Sequence, residues 1–239
     1  MTLKDKRILV IGGGSGIGLG VARGAVREGA KVLIASRDEK KLSEVARDIG
    51  AASAVIDVRH EADVARFFKN HGVFDHIAFT AGDWEGFAPG ALTDLDLARA
   101  AERMTTRFWG AVAVAKHGAT LLPPGGSYTI TNGMLAHRPR KGMPTVTASA
   151  RAVEGLAIGL AVDLAPVRVN CVCPGLIETE MWGKFPEGYR DLMMAMTKRQ
   201  LVPRPGQTDE AGEAYLTCMR NSFMTGQVIR IEGGVGLAS

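Results

Sequence analysis

Short runs rich in β-branched residues alternate along the chain with longer stretches whose apolar positions recur every three to four residues. Arg7–Ile11 reads as a strand and Ile17–Glu28 as the helix after it. Lys31–Ala35 is a second strand, followed by a helix over Lys40–Ile49 with Leu42, Val45, Ala46 and Ile49 at helical spacing. Ala52–Ile56 is a third strand, Glu61 to Asn70 a helix, and His76–Phe79 a fourth strand. A long Ala-rich helix is predicted from about Leu95 to Leu121, stopped by Pro123-Pro124-Gly125-Gly126. Then come a strand over Ser127–Thr131, a helix over Ser149–Leu164 and a strand over Arg168–Cys173 that ends at Pro174-Gly175. A polar, Met-rich insert follows, then a helix over Asp209–Arg220 and a last strand over Gln227–Ile231. This alternation predicts an α/β fold, a doubly wound parallel sheet with helices on both faces, as a single domain over residues 1–239.

Composition narrows the class. Of 239 residues, 46% are hydrophobic and 23% charged, which excludes disorder, collagen and coiled coil. A chain of this length buries enough surface to need no disulfide staples. No apolar run approaches the roughly 20 residues needed to cross a bilayer, and the N-terminal apolar stretch ends in glycines rather than in a signal-peptide layout. Cys171, Cys173 and Cys218 cannot all pair, and the first two alternate along a strand. With no CxxC and no Cys/His ligand cluster in the sequence, a metal site is not expected, and a reduced, cytoplasmic setting is. The net charge of +4 is spread along the chain. Its densest basic stretch, His137-Arg138-Pro139-Arg140-Lys141, reads as a solvated loop, with attraction of an anionic ligand as the alternative. No nucleic-acid motif is present.

The candidate chemistry begins at Gly12-Gly13-Gly14-Ser15-Gly16-Ile17-Gly18, between the first strand and the first helix. Glycines there permit a tight turn and close approach of backbone to a pyrophosphate, while the helix N-terminus offers free N–H groups and a positive dipole end. The second strand runs into Ser36-Arg37 rather than an acidic residue, so the position that would hold a ribose 2′-hydroxyl instead offers a cation to a 2′-phosphate. NADP(H) is therefore favoured over NAD(H).

The spacing Gly12, Gly16, Gly18 resembles the short-chain dehydrogenase/reductase family, and further matches follow in order along nearly the whole chain: Asp57-Val58, Ala81-Gly82, Arg168-Val169-Asn170, Pro174-Gly175, Thr179, Thr225-Gly226-Gln227 and Glu232-Gly233-Gly234. The resemblance implies a Rossmann-type oxidoreductase whose cofactor site is lined by Gly12, Ser15, Gly16, Ile17, Ser36, Arg37, Asp57, Val58, Ala81, Gly82, Pro174, Gly175, Ile177 and Thr179. It also implies a catalytic Ser, Tyr and Lys. Counting back without a gap from Pro174-Gly175 through Val153-Glu154-Gly155-Leu156, those positions hold Gly133, Val146 and Ala150. A register shifted by one would use Thr147 and Arg151 and supplies no tyrosine either. The family's helix Asn falls near Arg107, and Phe79-Thr80 stands where the resemblance expects Asn-Asn.

The cofactor half of the pattern is thus present while the proton-transfer half is absent. Three readings remain: hydride transfer with another acid or with a substrate needing none, a different reaction on the same fold, or a binding protein without turnover. If chemistry survives, His137 is the candidate proton carrier, Arg107 the candidate anion stabiliser, and Asn132, Thr145 and Thr147 candidate hydrogen-bond donors. The insert over residues 180–204 resembles the family's substrate lid, with Trp182, Phe185, Met193, Met194 and Met196 as an adaptable apolar wall, or else as plain core. The two long helices carry Gly110, Ala111, Ala115, Gly155 and Gly159 on several faces, so burial on more than the sheet side, in a homodimer or homotetramer, is expected.

Overall fold

The structure is a computed structural model and describes residues 2–82, 90–184 and 187–238. Seven parallel strands form one sheet in the order β3-β2-β1-β4-β5-β6-β7. They are β1 (Arg7–Ile11), β2 (Lys31–Ser36), β3 (Ala52–Val55), β4 (His76–Phe79), β5 (Ser127–Thr131), β6 (Arg168–Pro174) and β7 (Val228–Ile231). The helices are α1 (Gly16–Arg27), α2 (Glu39–Ile49), α3 (Glu61–His71), α4 (Leu97–Glu102), α5 (Gly110–His117), α6 (Pro144–Asp163), α7 (Tyr189–Thr197) and α8 (Thr208–Arg220). The strand order reverses between β1 and β4, which opens a crevice beyond their C-terminal ends.

β4, β5 and β6 are buried at every position because helices cover both faces. One core layer packs Phe67, Phe68, Phe79, Val114, Tyr128 and Val153 under α3, α5 and α6; the other packs Ile8, Val21, Ile34, Val172, Tyr215 and Met219 under α1, α2 and α8. Burying each such side chain contributes about 1.5–3 kcal/mol. The helix ends follow local chemistry. Asp38 caps α2 by accepting from the Lys41 N–H at 3.1 Å, Gly50 ends it with φ 72°, and Gln207 with Glu210 forms a reciprocal capping box on α8.

Two predicted elements differ. The single helix expected over Leu95–Leu121 is broken into α4, a π-helical turn over Thr105–Trp109, α5 and a short 3-10 turn over Ala119–Leu121. Gly118 at the end of α5 lies against the Phe68 ring, with no space for a side chain. The other difference is α6, which begins at Pro144, five residues before the predicted Ser149, because proline at its first turn pre-sets the helical φ. By length and composition α6 is apolar enough to cross a bilayer, yet Val153 and Ala157 are core residues. Its outer positions Ile158 and Val162 are exposed, and nothing lies within 4 Å of a Cβ built on Gly155 or Gly159. The three cysteines are free and buried.

Arg168 and Asn170 join the sheet to its last helix and strand. The buried Arg168 guanidinium donates to the carbonyls of Cys218 and Met219 at the end of α8, and Asn170 bonds the Met224 carbonyl and the Gln227 N–H. At the other end α8 crosses α1 backbone to backbone. A Cβ on Gly20 would meet the Thr208 carbonyl, and one on Gly212 would lie 2.8 Å from the Gly20 carbonyl carbon. Gly20→Ala should therefore lower stability in urea unfolding by about 1–3 kcal/mol, because rigid backbone must move. Gly24→Ala meets only the movable Cδ1 of Leu216 and should change stability by less than about 1 kcal/mol.

Candidate active site

The β1–α1 loop is pressed against the end of β4. Gly12 has φ +87°, and a Cβ there would lie 2.6 Å from Thr80 Oγ1 and 2.8 Å from the Ala81 nitrogen. The Thr80 hydroxyl, standing where the family pattern expects Asn, bonds the Ile11 carbonyl at 2.9 Å and ties the two strand ends together. Ser15 caps α1 in extended conformation without a side-chain cap bond, and α1 has no acidic residue in its first turn. Ile17 is half-buried beside it. The result is a helix N-terminus opening onto a side-chain-free cradle, and these residues fit the pyrophosphate of a dinucleotide.

Ser36, at the end of β2, faces Gly14 across the loop, and Arg37 follows it on the surface. Asp57 lies beyond β3, where Arg59 grips its carboxylate at 2.6 and 2.9 Å. That hydrogen bonding holds the Asp57 carboxyl down at about 2, with the charge of Arg37 adding to the effect. Arg37, Ile56, Asp57 and Arg66 line a cavity of about 260 Å³. A larger open groove of about 420 Å³ lies between α1 and α2, lined by Arg23, Arg27 and Asp48 away from the strand ends. Val58, expected at the adenine, is a core side chain packed against Gly110.

Ala81 and Gly82 continue β4 into the crevice. Gly82 has no room for a side chain because the Arg107 guanidinium occupies it, with Nε 2.9 Å and Cζ 3.0 Å from a built Cβ. The π-helical turn over Thr105–Trp109 carries Arg107 to this place; such turns recur at functional sites. On the opposite side Pro174 ends β6, the Gly175 N–H donates to the Ile231 carbonyl, and the buried Ile177 bridges to Gly206. Thr179 then approaches Gly16, its Cγ2 3.4 Å from a built Cβ there.

At the positions that the gap-free count assigns to the family's serine, tyrosine and lysine, the structure is open or apolar. Nothing lies within 4 Å of a Cβ on Gly133, Val146 is half-buried on the first turn of α6, and Ala150 is buried one turn on. Thr145 is half-buried on the same turn, and the buried Thr147 hydroxyl has no partner among the described residues. Tyr128 and Tyr215 are deep in the core, their hydroxyls on the Ala111 carbonyl and Thr131, with burial pushing both phenols up. Tyr189 stands on α7 in the insert.

His137 meets a residue that the sequence reading used only to count register. Its Nε2 lies 2.6 Å from Glu154 Oε1, on a carboxylate only 6% exposed. Asn132 Nδ2 donates to the same oxygen at 2.7 Å, and Arg151 donates to Oε2 at 3.0 Å. The Asn132 Oδ1 is buried without a partner. Cys173 joins this group: its Sγ, the His137 Nε2 and a Glu154 oxygen all lie within 4.8 Å of one another. No Cys/His ligand spacing announces this group in the sequence, because its three residues are far apart in the chain. In the fold they assemble, with the Glu154 oxygens already engaged by three donors and burial pushing the Cys173 thiol up to about 12. The signal that would have found Glu154 is one carboxylate within the apolar run Ala152–Val162.

The basic stretch after His137 is partly pinned. Arg138 donates to the carbonyls of Val235 and Ala238, and Arg140 points at Met196. In the insert, Trp182 and Met193 are buried while Met194 and Met196 are half-buried; Phe185 lies outside the described residues.

Similarity to known proteins covers the same ground. The family model described as Enoyl-(Acyl carrier protein) reductase matches residues 12–236. The "Short-chain dehydrogenase/reductase fsr5" of Gibberella fujikuroi is 33% identical, across 99% of this chain and 96% of its own length. Among solved structures, the "MalC Reductase/Diels-Alderase" of Malbranchea aurantiaca superposes with a TM-score of 0.90 at 30% identity, over 99% of this chain and 97% of that one. A small-chain dehydrogenase in complex with NADPH superposes with a TM-score of 0.84 at 34% identity, over 98% of this chain and all of that one. With the sheet order, the glycine cradle and these likenesses together, the chain belongs to the short-chain dehydrogenase/reductase family of oxidoreductases.

Proposed function

We propose that this chain is an NADP(H)-dependent oxidoreductase that moves a hydride to or from a small carbonyl- or alcohol-type substrate, with a His137–Glu154 couple in place of the family's tyrosine and lysine. The observation that carries the reading is the half-buried imidazole held 2.6 Å from a buried carboxylate, four residues beyond the position of the missing serine. The carboxylate orients the ring. With Nε2 donating to Glu154, Nδ1 is the atom left to give or take a proton. Arg107, beside Gly82 at the end of β4, offers a guanidinium to an oxygen that gains negative charge. NADP(H), when bound, would supply the hydride chemistry. The Gly12–Gly18 loop and α1 would hold its pyrophosphate and Arg37 its 2′-phosphate, with Ala81, Gly82, Pro174, Gly175, Ile177 and Thr179 as the residues for the rest of the cofactor. The insert over residues 180–204 serves as the lid of an apolar-walled substrate site. The reading needs no resident metal, because three protein donors already engage Glu154.

A second reading rests on Gly133, Val146 and Ala150 and on the relative titled both reductase and Diels-Alderase: the substrate needs no proton from the protein, or reacts without redox change.

NADPH should bind about ten- to a hundredfold more tightly than NADH in calorimetry, as expected for charge-assisted guanidinium–phosphate contacts. Arg37→Ala should erase most of that difference; equal affinity of the unmutated protein for both would remove Arg37 from the site.

Turnover of a working substrate should fall about 10²–10⁴-fold in His137→Ala, and Glu154→Gln, which replaces one ring-orienting carboxylate oxygen with an amide, should lower it as well. Undiminished turnover in His137→Ala would select the second reading. Ordinary ketones should be reduced poorly until Gly133→Ser, Val146→Tyr and Ala150→Lys are combined, since Gly133 has open space for a serine side chain.

The exposed Ile158, Val162 and Trp109 form an apolar outer surface on α6 and the π-helical turn, which favours a homotetramer, or a homodimer, through these helices. Light scattering at micromolar concentration should give a multiple of the chain mass, and Val162→Arg should lower it; a monomeric unmutated protein would contradict this assembly.

A further inference from the structure

The anion-binding end of α1 already holds an anion. The Gly16 N–H donates to Glu180 Oε2 at 3.1 Å, across 164 residues of sequence. Nothing in the first turn of α1 supplies a negative charge, and the Ser15 side chain makes no cap bond, so Glu180 meets an otherwise uncapped, positive helix end. Thr179, the preceding residue, packs on Gly16. Glu180 also opens the 3-10 turn over Glu180–Lys184, in which Trp182 is buried and donates its N–H to the Thr179 carbonyl at 3.1 Å. The start of the insert is anchored on its far side, where Glu178 pairs with Arg190 at 2.6 Å and its N–H donates to the Gly206 carbonyl.

We propose that Glu180 is an internal stand-in for the cofactor's pyrophosphate, seated on α1 in the free protein and expelled when the dinucleotide binds, so that cofactor occupancy sets the position of residues 180–184. A carboxylate and a phosphate seek the same two things at a helix end, unpaired N–H groups and positive potential. Two such anions repel at one site, so the dinucleotide binds only as the carboxylate leaves. This device makes the cofactor compete with the protein's own side chain and couples the first binding event to movement at the edge of the substrate site. It rests on reading the glycine loop as the dinucleotide site, and its test separates the two.

NADPH and inorganic pyrophosphate would be titrated by calorimetry into the unmutated protein, Glu180→Gln and Glu180→Ala, with circular dichroism to establish that all three are folded. Glu180 is exposed, so neither change opens the core. Both variants should bind both ligands roughly three- to tenfold more tightly, because a nearby like charge is gone. In a Trp84→Phe, Trp109→Phe background, pyrophosphate should shift the Trp182 emission when Glu180 is present and leave it unchanged in Glu180→Ala. Equal or weaker binding of both ligands by the variants would overturn the proposal. Tighter pyrophosphate binding with no NADPH binding in any form would show that Glu180 guards an anion site but sink the dinucleotide reading, and with it the coupling to the cofactor. Failure of both ligands to bind any form would end both.

Discussion

The contact on which the molecule turns is the one between the glycine loop and the end of β4, where the Gly12 backbone meets Thr80 and Ala81 with no room for an added carbon. It sets the spacing of the two strand ends at the point where the sheet order reverses. It also fixes the direction in which α1 leaves the sheet, and so where its positive end points. The second helix of that layer, α8, depends on the same economy of side chains, since Gly20 and Gly212 let it cross α1 backbone to backbone. Arg168 then engages the far end of α8 from the first residue of β6.

The other side of the crevice is built on side chains rather than on their absence. Arg107 fills the space above Gly82 and is carried there by a turn that is not α-helical. Glu154 is buried on α6 and is made tolerable by Asn132, His137 and Arg151, a charged network of the kind that costs a great deal when one partner is removed. Val146 and Ala150 on α6 are apolar, while His137 and Glu154 meet nearby. The glycine cradle is thus built of backbone, and the His137–Glu154 pair of side chains.

Much of this architecture is legible in the chain itself. Strand runs such as Ile8–Ile11 and Arg168–Cys173 announce a sheet buried on both faces, because β-branched and small apolar residues stack without a polar face. The Gly12–Gly18 spacing announces the cradle, because only glycine permits both the φ of Gly12 and its approach to Thr80. Ser36-Arg37 falls where β2 ends.

Tertiary structure decided the rest. The break within the helix predicted over Leu95–Leu121 left no mark in its Ala- and Thr-rich composition, since α and π turns differ by one backbone hydrogen-bond offset and packing selects between them. Glu154 read as one more helix residue until Asn132, His137 and Arg151 closed around it from β5, the following loop and α6 itself. Glu180 read as part of a polar insert until the fold set it on a helix end 164 residues earlier in the chain. A sequence reports the periodicity and the conformational freedom of each segment, which are local quantities. The partner of a charge is set by distance in space, and only the folded chain fixes that distance.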